Sequence, residues 1–332
     1  MAYSFKALGC SFALASYVAR ALGRPVWELD YATLPRAARE LGEFTFYAAT
    51  DGNHGRAVAW AARELGQKAV IFMNKGCPQA RLEHILREGA EASISDLNYD
   101  DTIRYVAGLA ANTPNSVIVQ DTAWEGYEDI PGWIMQGYGV MALEACEQMR
   151  GLGIAPTHVL LQAGVGAFAG SAQGVVSNYY GEKAPVSFVV EPSAAACHYL
   201  SALRGDGSTA TVGGEMKTIM AGLACGEPGL LSWDILKNNS SYFATIEDSA
   251  AARGMRILGA PLHGDPRVIS GESGAASMGF LYELLTSGCL AELREQAGIG
   301  ADSRILLFST EGDTDPGGYR SVVWDGAYGT ID

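Results

Sequence analysis

The sequence predicts an α/β protein built from two open parallel sheets, each covered by helices. Three observations carry this. Short apolar runs of strand length alternate with longer helical stretches along nearly the whole chain. Polar, glycine-bearing loops follow these runs where a strand would hand over to a helix. The alternation pauses between Gly151 and Pro156 and then restarts. The expected domains are therefore 1–150, a smaller α/β domain, and 151–332, a larger one. A chain of 332 residues is long enough for both.

The first element is an amphipathic helix that starts at Lys6 and stops at Gly23. The helix dipole puts positive partial charge at its start, so a lysine in the first turn is electrostatically misplaced. A tolerated surface lysine is the plain reading. A lysine that carries an aldehyde cofactor as a Schiff base is the functional one. A connection through Pro25 and Pro35 leads to a strand over 44–48, a polar loop over 50–56 and a helix from Ala57. Strands over 69–73, 91–94 and 116–119 then alternate with helices over 78–87, 99–111 and 131–149. The second half opens with a strand over 157–161, the glycine loop 162–170 and a helix. Strands over 185–190, 241–246 and 303–308 follow, with an irregular glycine-rich region over 204–229. Further helices begin at Glu247-Asp248 and after Gly271-Glu272-Ser273-Gly274.

Composition narrows the function. The chain is 48% hydrophobic and 18% charged, so it can bury a sizeable core. A formal net charge of −14 argues against a nucleic-acid backbone or an anionic membrane as partner. No apolar run approaches a membrane span, and no secretory leader precedes Lys6. Six cysteines without a CxxC pair suggest a reducing, cytoplasmic compartment. Five histidines without HxxxH or HExxH spacing predict no zinc.

Ligands of open parallel sheets bind at the carboxyl ends of the strands, where the polar loops lie. The loop Gly164-Val165-Gly166-Ala167-Phe168-Ala169-Gly170 lets backbone N–H groups approach an anion, and a helix N-terminus completes the site. It also fits a dinucleotide fingerprint with Glu191 as the ribose-binding acid, so a nicotinamide-dependent oxidoreductase stays open. Asp51-Gly52-Asn53-His54-Gly55 clusters an acid with two hydrogen-bonding groups, one of which, Asp51 or Asn53, would cap the next helix. Gln120-Asp121-Thr122-Ala123-Trp124-Glu125-Gly126-Tyr127 sets an acid beside aromatics, which suits a small cationic substrate. Asp51 and Asp121 are the candidates for general acid/base work, and burial in a cleft would raise both toward neutrality.

Several of these stretches together resemble the diaminopropionate ammonia-lyase family. They are Ser4-Phe5-Lys6-Ala7-Leu8-Gly9, Ala49-Thr50-Asp51-Gly52-Asn53-His54-Gly55-Arg56, the Gln120–Tyr127 loop, Ala163-Gly164-Val165-Gly166, Ile219-Met220-Ala221-Gly222-Leu223-Ala224-Cys225-Gly226 and Ser309-Thr310-Glu311-Gly312-Asp313-Thr314-Asp315-Pro316. The Asp-Gly-Asn-His-Gly loop discriminates, because dehydratases and synthases of the same fold usually carry Ser where Asp51 stands. The resemblance implies fold type II of the pyridoxal-phosphate enzymes, the tryptophan-synthase-β type, and a homodimer. It implies elimination from 2,3-diaminopropionate to pyruvate and two ammonia. Lys6 would carry pyridoxal 5'-phosphate, and Asn53 would bond the ring hydroxyl oxygen. Gly164, Val165, Gly166 and Ala167 would hold the phosphate. Glu272 would line the ring, and Thr310, less readily Ser309, would meet the pyridine nitrogen. Lys6 and Asp51 would act as bases on opposite faces, which would admit both enantiomers, and Asp51 and Asp121 would bind the second amino group. A serine/threonine dehydratase, a sulfhydrylase-type synthase and an inactive cofactor-binding remnant are the alternatives on the same fold. Family members carry tens of residues ahead of the Schiff-base lysine, against five here, so the resemblance implies a shortened N-terminus and an uncovered apolar patch. It also leaves open a disulfide between Cys197 and Cys225.

Overall fold

The computed structural model describes residues 4–329. Tyr3, which stands just ahead of the first motif, lies outside them. The chain divides into two compact units, Met1–Tyr138 and Gly139–Asp332. The division falls inside one helix.

The first unit runs α1 (Lys6–Ala21), α2 (Leu34–Glu40), β1 (Thr45–Thr50), α3 (Asn53–Glu64), β2 (Lys68–Met73), α4 (Gln79–Arg87), β3 (Glu91–Ile94), α5 (Tyr99–Ala111) and β4 (Ser116–Ile118), and reaches into α6 (Asp129–Gly151). Its strands form one parallel sheet in the order β3-β2-β1-β4. β1 is the central strand, and Phe46, Ala48, Ala49 and Thr50 are all fully buried. Burial on both faces is what a parallel sheet under helices requires, so the run lacks strict alternation. α1 packs on α3, and its Cys10, Ala13, Leu14 and Val18 are each no more than 1% exposed.

The second unit continues with β5 (His158–Gln162), α7 (Ala167–Tyr180), β6 (Val186–Pro192), α8 (Cys197–Arg204), α9 (Leu230–Asn239), β7 (Tyr242–Ile246), α10 (Asp248–Gly259), α11 (Ala276–Thr286), α12 (Ala291–Gln296), β8 (Ile305–Leu307) and α13 (Pro316–Val323). Its sheet is again parallel, in the order β7-β6-β5-β8. The two units thus share one strand plan. The core of the second gathers Leu160, Phe188, Val190, Met220, Ile246, Phe280 and Leu284. The helices α2, α8, α9, α12 and α13 fall where the sequence suggested only connections. Each is short, from 6 to 10 residues, which leaves little periodicity to read.

The start of α1 is fixed by a close crossing with α6. A Cβ on Gly137 would lie 2.5 Å from the carbonyl oxygen of Leu8, and one on Gly9 would lie 2.4 Å from the Tyr138 ring. Each glycine therefore lets the other helix approach. Gly108 in α5 has open space around its Cβ position. Gly137→Ala should destabilise the protein by about 1–3 kcal/mol through overpacking. Gly108→Ala should stabilise it by about 0.5–1 kcal/mol through helix propensity. Urea unfolding of the two variants beside the parent checks both signs.

Candidate active site

In each sheet the chain reverses its direction of travel beside the first strand. β1 has β2 on one side and β4 on the other, and β5 has β6 and β8. Crossovers leave such strands toward opposite faces, so a crevice opens at their carboxyl ends. A glutamine bridges each crevice. Gln120 receives the Ala49 N–H at 3.2 Å and donates to the Ala49 carbonyl at 3.0 Å, continuing the β1–β4 pairing with a side chain. Gln162 donates to the Phe308 carbonyl at 2.8 Å and to Thr310 Oγ1 at 2.9 Å. Asp51 and Asp121 follow the adjacent strands β1 and β4 and so flank one crevice.

In the first unit Lys6 Nζ pairs with Asp121 Oδ2, and the Tyr138 hydroxyl donates to the same oxygen at 3.2 Å. Asp121 Oδ1 is buried without a hydrogen-bond partner. The first turn of α1 contains no acidic residue, so Asp121, from a distant loop, balances the misplaced lysine. Burial pushes the Asp121 carboxyl up, but the Lys6 ammonium, with help from His54 and the Tyr138 hydroxyl, outweighs it and holds the carboxyl at about 2. This corrects the expectation that Asp121 is raised toward neutrality. Beneath the pair, His54 Nε2 donates to the Val119 carbonyl at 2.8 Å. Its Nδ1 is thereby an acceptor and faces the Cys10 thiol at 3.6 Å. Burial lowers the imidazole and raises the thiol.

Asp51 is 7% exposed and pairs with the buried Arg81 at 3.0 Å. The residue between Asp51 and α3 is Gly52, at φ +144°, where a Cβ would lie 2.8 Å from the Arg81 side chain. Only glycine combines that backbone with that neighbour. Asn53 is the first residue of α3 and not part of the preceding loop. The helix starts early because the Thr50 hydroxyl accepts from the N–H groups of Gly52 at 2.8 Å and Gly55 at 2.9 Å. Thr50 thus supplies capping that the sequence suggests for Asp51 or Asn53.

In the second unit the loop from Gly164 to Ala167 enters α7 with no side-chain cap, so the first N–H groups of the helix have no side-chain acceptor at the cap position. A Cβ on Gly164 would lie 3.0 Å from the Gly222 carbonyl oxygen, and one on Gly166, at φ +88°, 2.4 Å from His198 Nε2. A glycine cradle at an uncapped helix start fits the phosphate of pyridoxal phosphate, and the Lys6 amine fits its aldehyde. Thr310 is 5% exposed and bonded to Gln162, whereas the Ser309 hydroxyl turns to Ser270 at 2.9 Å. Glu272 is 7% exposed, and its loop is held by the Glu311 carboxylate, which accepts from the Ser273 N–H at 2.9 Å.

Glu191 does not offer itself to a ribose. Its carboxylate accepts from His198 N, His198 Nδ1 and Tyr199 N at 2.9, 2.9 and 2.7 Å and is fully buried. That removes the residue on which the nicotinamide reading relied. Cys197 and Cys225 are not joined by a disulfide. Gln120, Gln162, Tyr138, Arg81 and Glu311 are site-forming residues that sequence reasoning missed. The glutamines left a signal, since each closes an apolar strand and precedes a polar loop.

The folded-state carboxyl of Asp121 lies below its ordinary 3.8, so it adds stability above about pH 4 that is lost as pH falls toward about 2. A carboxyl lowered that far contributes about 2 kcal/mol. In the cofactor-free protein, unfolding free energy should fall over that window by about this amount more than in Asp121→Asn. Denaturant unfolding from pH 5 to pH 2, on the order of ten points, measures it.

Comparison with known proteins matches this geometry. The family model described as pyridoxal-phosphate dependent enzyme covers residues 3–311. The diaminopropionate ammonia-lyase of Escherichia coli K12 is 49% identical over 325 residues, 98% of this chain and 80% of that enzyme. The enzyme of that name from Salmonella typhimurium is 49% identical over 327 residues, 97% of this chain and 81% of that one. The crystal structure of the Escherichia coli enzyme with an aminoacrylate-PLP azomethine reaction intermediate superposes with a TM-score of 0.89, at 46% identity, covering 98% of this chain and 81% of that one. A lysine–aspartate pair and a glycine cradle at matching switch points, on a chain this similar throughout, place the protein among the pyridoxal-phosphate dependent enzymes, in the diaminopropionate ammonia-lyase family.

Proposed function

We propose that the chain converts 2,3-diaminopropionate and water to pyruvate and two ammonia, by α,β-elimination of the first ammonia and hydrolytic release of the second, with pyridoxal 5'-phosphate as cofactor. The observation that carries this is the Lys6–Asp121 pair beside a buried, unpartnered carboxylate oxygen. Lys6, Asn53, Gly164, Val165, Gly166, Ala167, Glu272 and Thr310 would hold the cofactor. When bound, it supplies an electron sink that makes the α-hydrogen of an attached amino acid acidic.

The residues would then act as follows. A lysine must lose a proton before it can serve as nucleophile or base. Asp121, held at about 2, is too weak a base to take that proton for good. The cationic β-amino group of the substrate would compete with Lys6 for the Asp121 carboxylate, entering at the unpartnered Oδ1. That weakens the hold of Lys6 on its own proton and frees Nζ to work at the α-carbon. Asp51, oriented by Arg81, would serve as the second base and give access to the other enantiomer. Gln162 fixes the proton at Thr310. Its Nε2 must be the atom that faces the Phe308 carbonyl, so Thr310 Oγ1 accepts from Nε2 and keeps its own hydrogen to donate. A hydroxyl donor suits an unprotonated ring nitrogen, which is enough for elimination of a good leaving group.

We read the enzyme as a cytoplasmic homodimer acting on a small amino acid. Among the described residues no disulfide joins any of the six cysteines, which fits a reducing compartment. Among the described residues no helix is long and apolar enough to cross a membrane.

Purified protein should absorb in the visible-yellow region. Borohydride should abolish the band and label Lys6, and diaminopropionate should shift it as pyruvate forms. Lys6→Ala should lose the band and reduce kcat at least about 10³-fold. Asp51→Ser should lower kcat/KM for diaminopropionate by about 10²–10⁴-fold and for serine by far less. Equal losses on both substrates would count against a role for Asp51 in selecting the diamine.

A further inference from the structure

Tyr127 closes the loop that carries Asp121. β4 is an edge strand, the last in the order β3-β2-β1-β4. Just past it, the Val119 N–H donates to the Tyr47 carbonyl of β1 at 2.8 Å. Successive residues of a strand turn their backbone groups to opposite sides, so the Ile118 carbonyl and the Gln120 N–H face away from β1, where no strand follows. One phenol satisfies both. The Tyr127 hydroxyl donates to the Ile118 carbonyl at 2.8 Å and accepts from the Gln120 N–H at 2.9 Å. A carbonyl only accepts and an N–H only donates, which fixes the sense of both bonds. Burial pushes the Tyr127 phenol up, the direction that keeps its hydrogen in place.

The ring is fixed as well. Residues 124–127 form a tight turn in which the Tyr127 N–H donates to the Trp124 carbonyl at 2.9 Å and Gly126 takes φ +84°. The Trp124 and Tyr127 rings stack with centroids 4.2 Å apart and planes at 21°. Glu128 Oε1 accepts from the Gly126 N–H at 2.9 Å. The chain thus leaves β4 at Gln120, carries Asp121, turns at Gly126 and ties itself back to β4 through Tyr127. Gln120 is held a second time by its side chain on Ala49. The Asp121 side chain is fully buried and that of Lys6 is 16% exposed, so the lysine is the partner with access to solvent.

We propose that Tyr127 is a positioning residue for Asp121. By standing in for a neighbour strand that the sheet lacks, it holds the carboxylate still when Lys6 leaves it, and the second amino group of the substrate meets an acceptor already in place. This rests on the reading of Asp121 as the acceptor of that amino group. Tyr127 acts through the backbone of Gln120, one residue from Asp121. A carboxylate free to follow the lysine loses selection of the diamine over serine, because serine carries no second cation.

The test compares kcat/KM for diaminopropionate and for serine in the parent, Asp121→Asn and Tyr127→Phe. Tyr127→Phe keeps the ring and its stack on Trp124 and removes the hydroxyl alone. It should lower kcat/KM for diaminopropionate about tenfold more than for serine, chiefly through KM. A second readout needs no turnover. The Lys6 ammonium, His54 and the Tyr138 hydroxyl face the Asp121 carboxylate and hold it low. In the cofactor-free Tyr127→Phe protein, the loss of stability on acidification that Asp121 contributes should therefore shrink by about half. A merely structural tyrosine would lower stability alike at every pH and activity alike on both substrates. If Tyr127→Phe fails to fold, Trp124→Phe, which weakens the stack and keeps the hydroxyl, carries the same comparison with a smaller shift in the same direction. An unchanged substrate ratio, equal losses on the two substrates, or an acid loss as large as the parent's overturns the role of Tyr127. An Asp121→Asn enzyme that keeps the parent's preference for the diamine overturns the reading of Asp121 itself, and this proposal with it.

Discussion

The chemistry of this molecule depends on what happens where neighbouring parallel strands leave a sheet toward opposite faces. The backbone cannot fill the gap between their diverging loops, and that gap is where polar side chains gather. Both sheets place their first strand beside this divergence, with the order β3-β2-β1-β4 in one and β7-β6-β5-β8 in the other. In each, a glutamine continues the strand pairing past the last backbone bond, through Ala49 in one case and Phe308 in the other. These bridges hold the loop ends in register. Asp121, next to Gln120, and Thr310, bonded to Gln162, therefore stand at defined places. The scaffold is rigid where the functional groups are mounted.

Much of the fold was legible in the sequence. The runs 91–94 and 99–111 are a strand and a helix with the boundaries that their patterns suggest. β5, buried along its whole length, reads as a continuous apolar run because both of its faces are covered. The loops at Asp51, Asp121 and Gly164 stood out because polar and glycine residues interrupt otherwise apolar stretches. What stayed hidden was relational. Nothing in Asp121 and its neighbours shows that Lys6, 115 positions away, is its partner, so the local sequence gives its acidity the wrong sign. Burial can be read from the sequence, but the ammonium that outweighs it cannot.

The same limit explains Asn53 and Glu191. Asn53 reads as a loop residue because His54 and Gly55 look like loop residues, yet the Thr50 hydroxyl starts the helix beneath them. Glu191 reads as a ligand-binding acid because it ends a strand after a glycine loop. Three internal N–H groups occupy it instead, and they come from His198 and Tyr199 at the start of α8. Capping and carboxylate saturation both depend on groups that become neighbours only after the chain turns, so single-sequence patterns record them poorly.

The Lys6–Asp121 pair has a kinetic meaning as well as a static one. The amine that would receive the cofactor is tied, in the cofactor-free chain, to a carboxylate with little tendency to give up its charge. Loading is then a displacement rather than a simple encounter. Its speed is set by how often the ammonium lets go and sheds a proton, not by how often a carbonyl arrives. Reconstitution should be slow, saturating in cofactor concentration, and faster in alkaline solution. A newly made polypeptide would meet a built-in delay between folding and becoming competent.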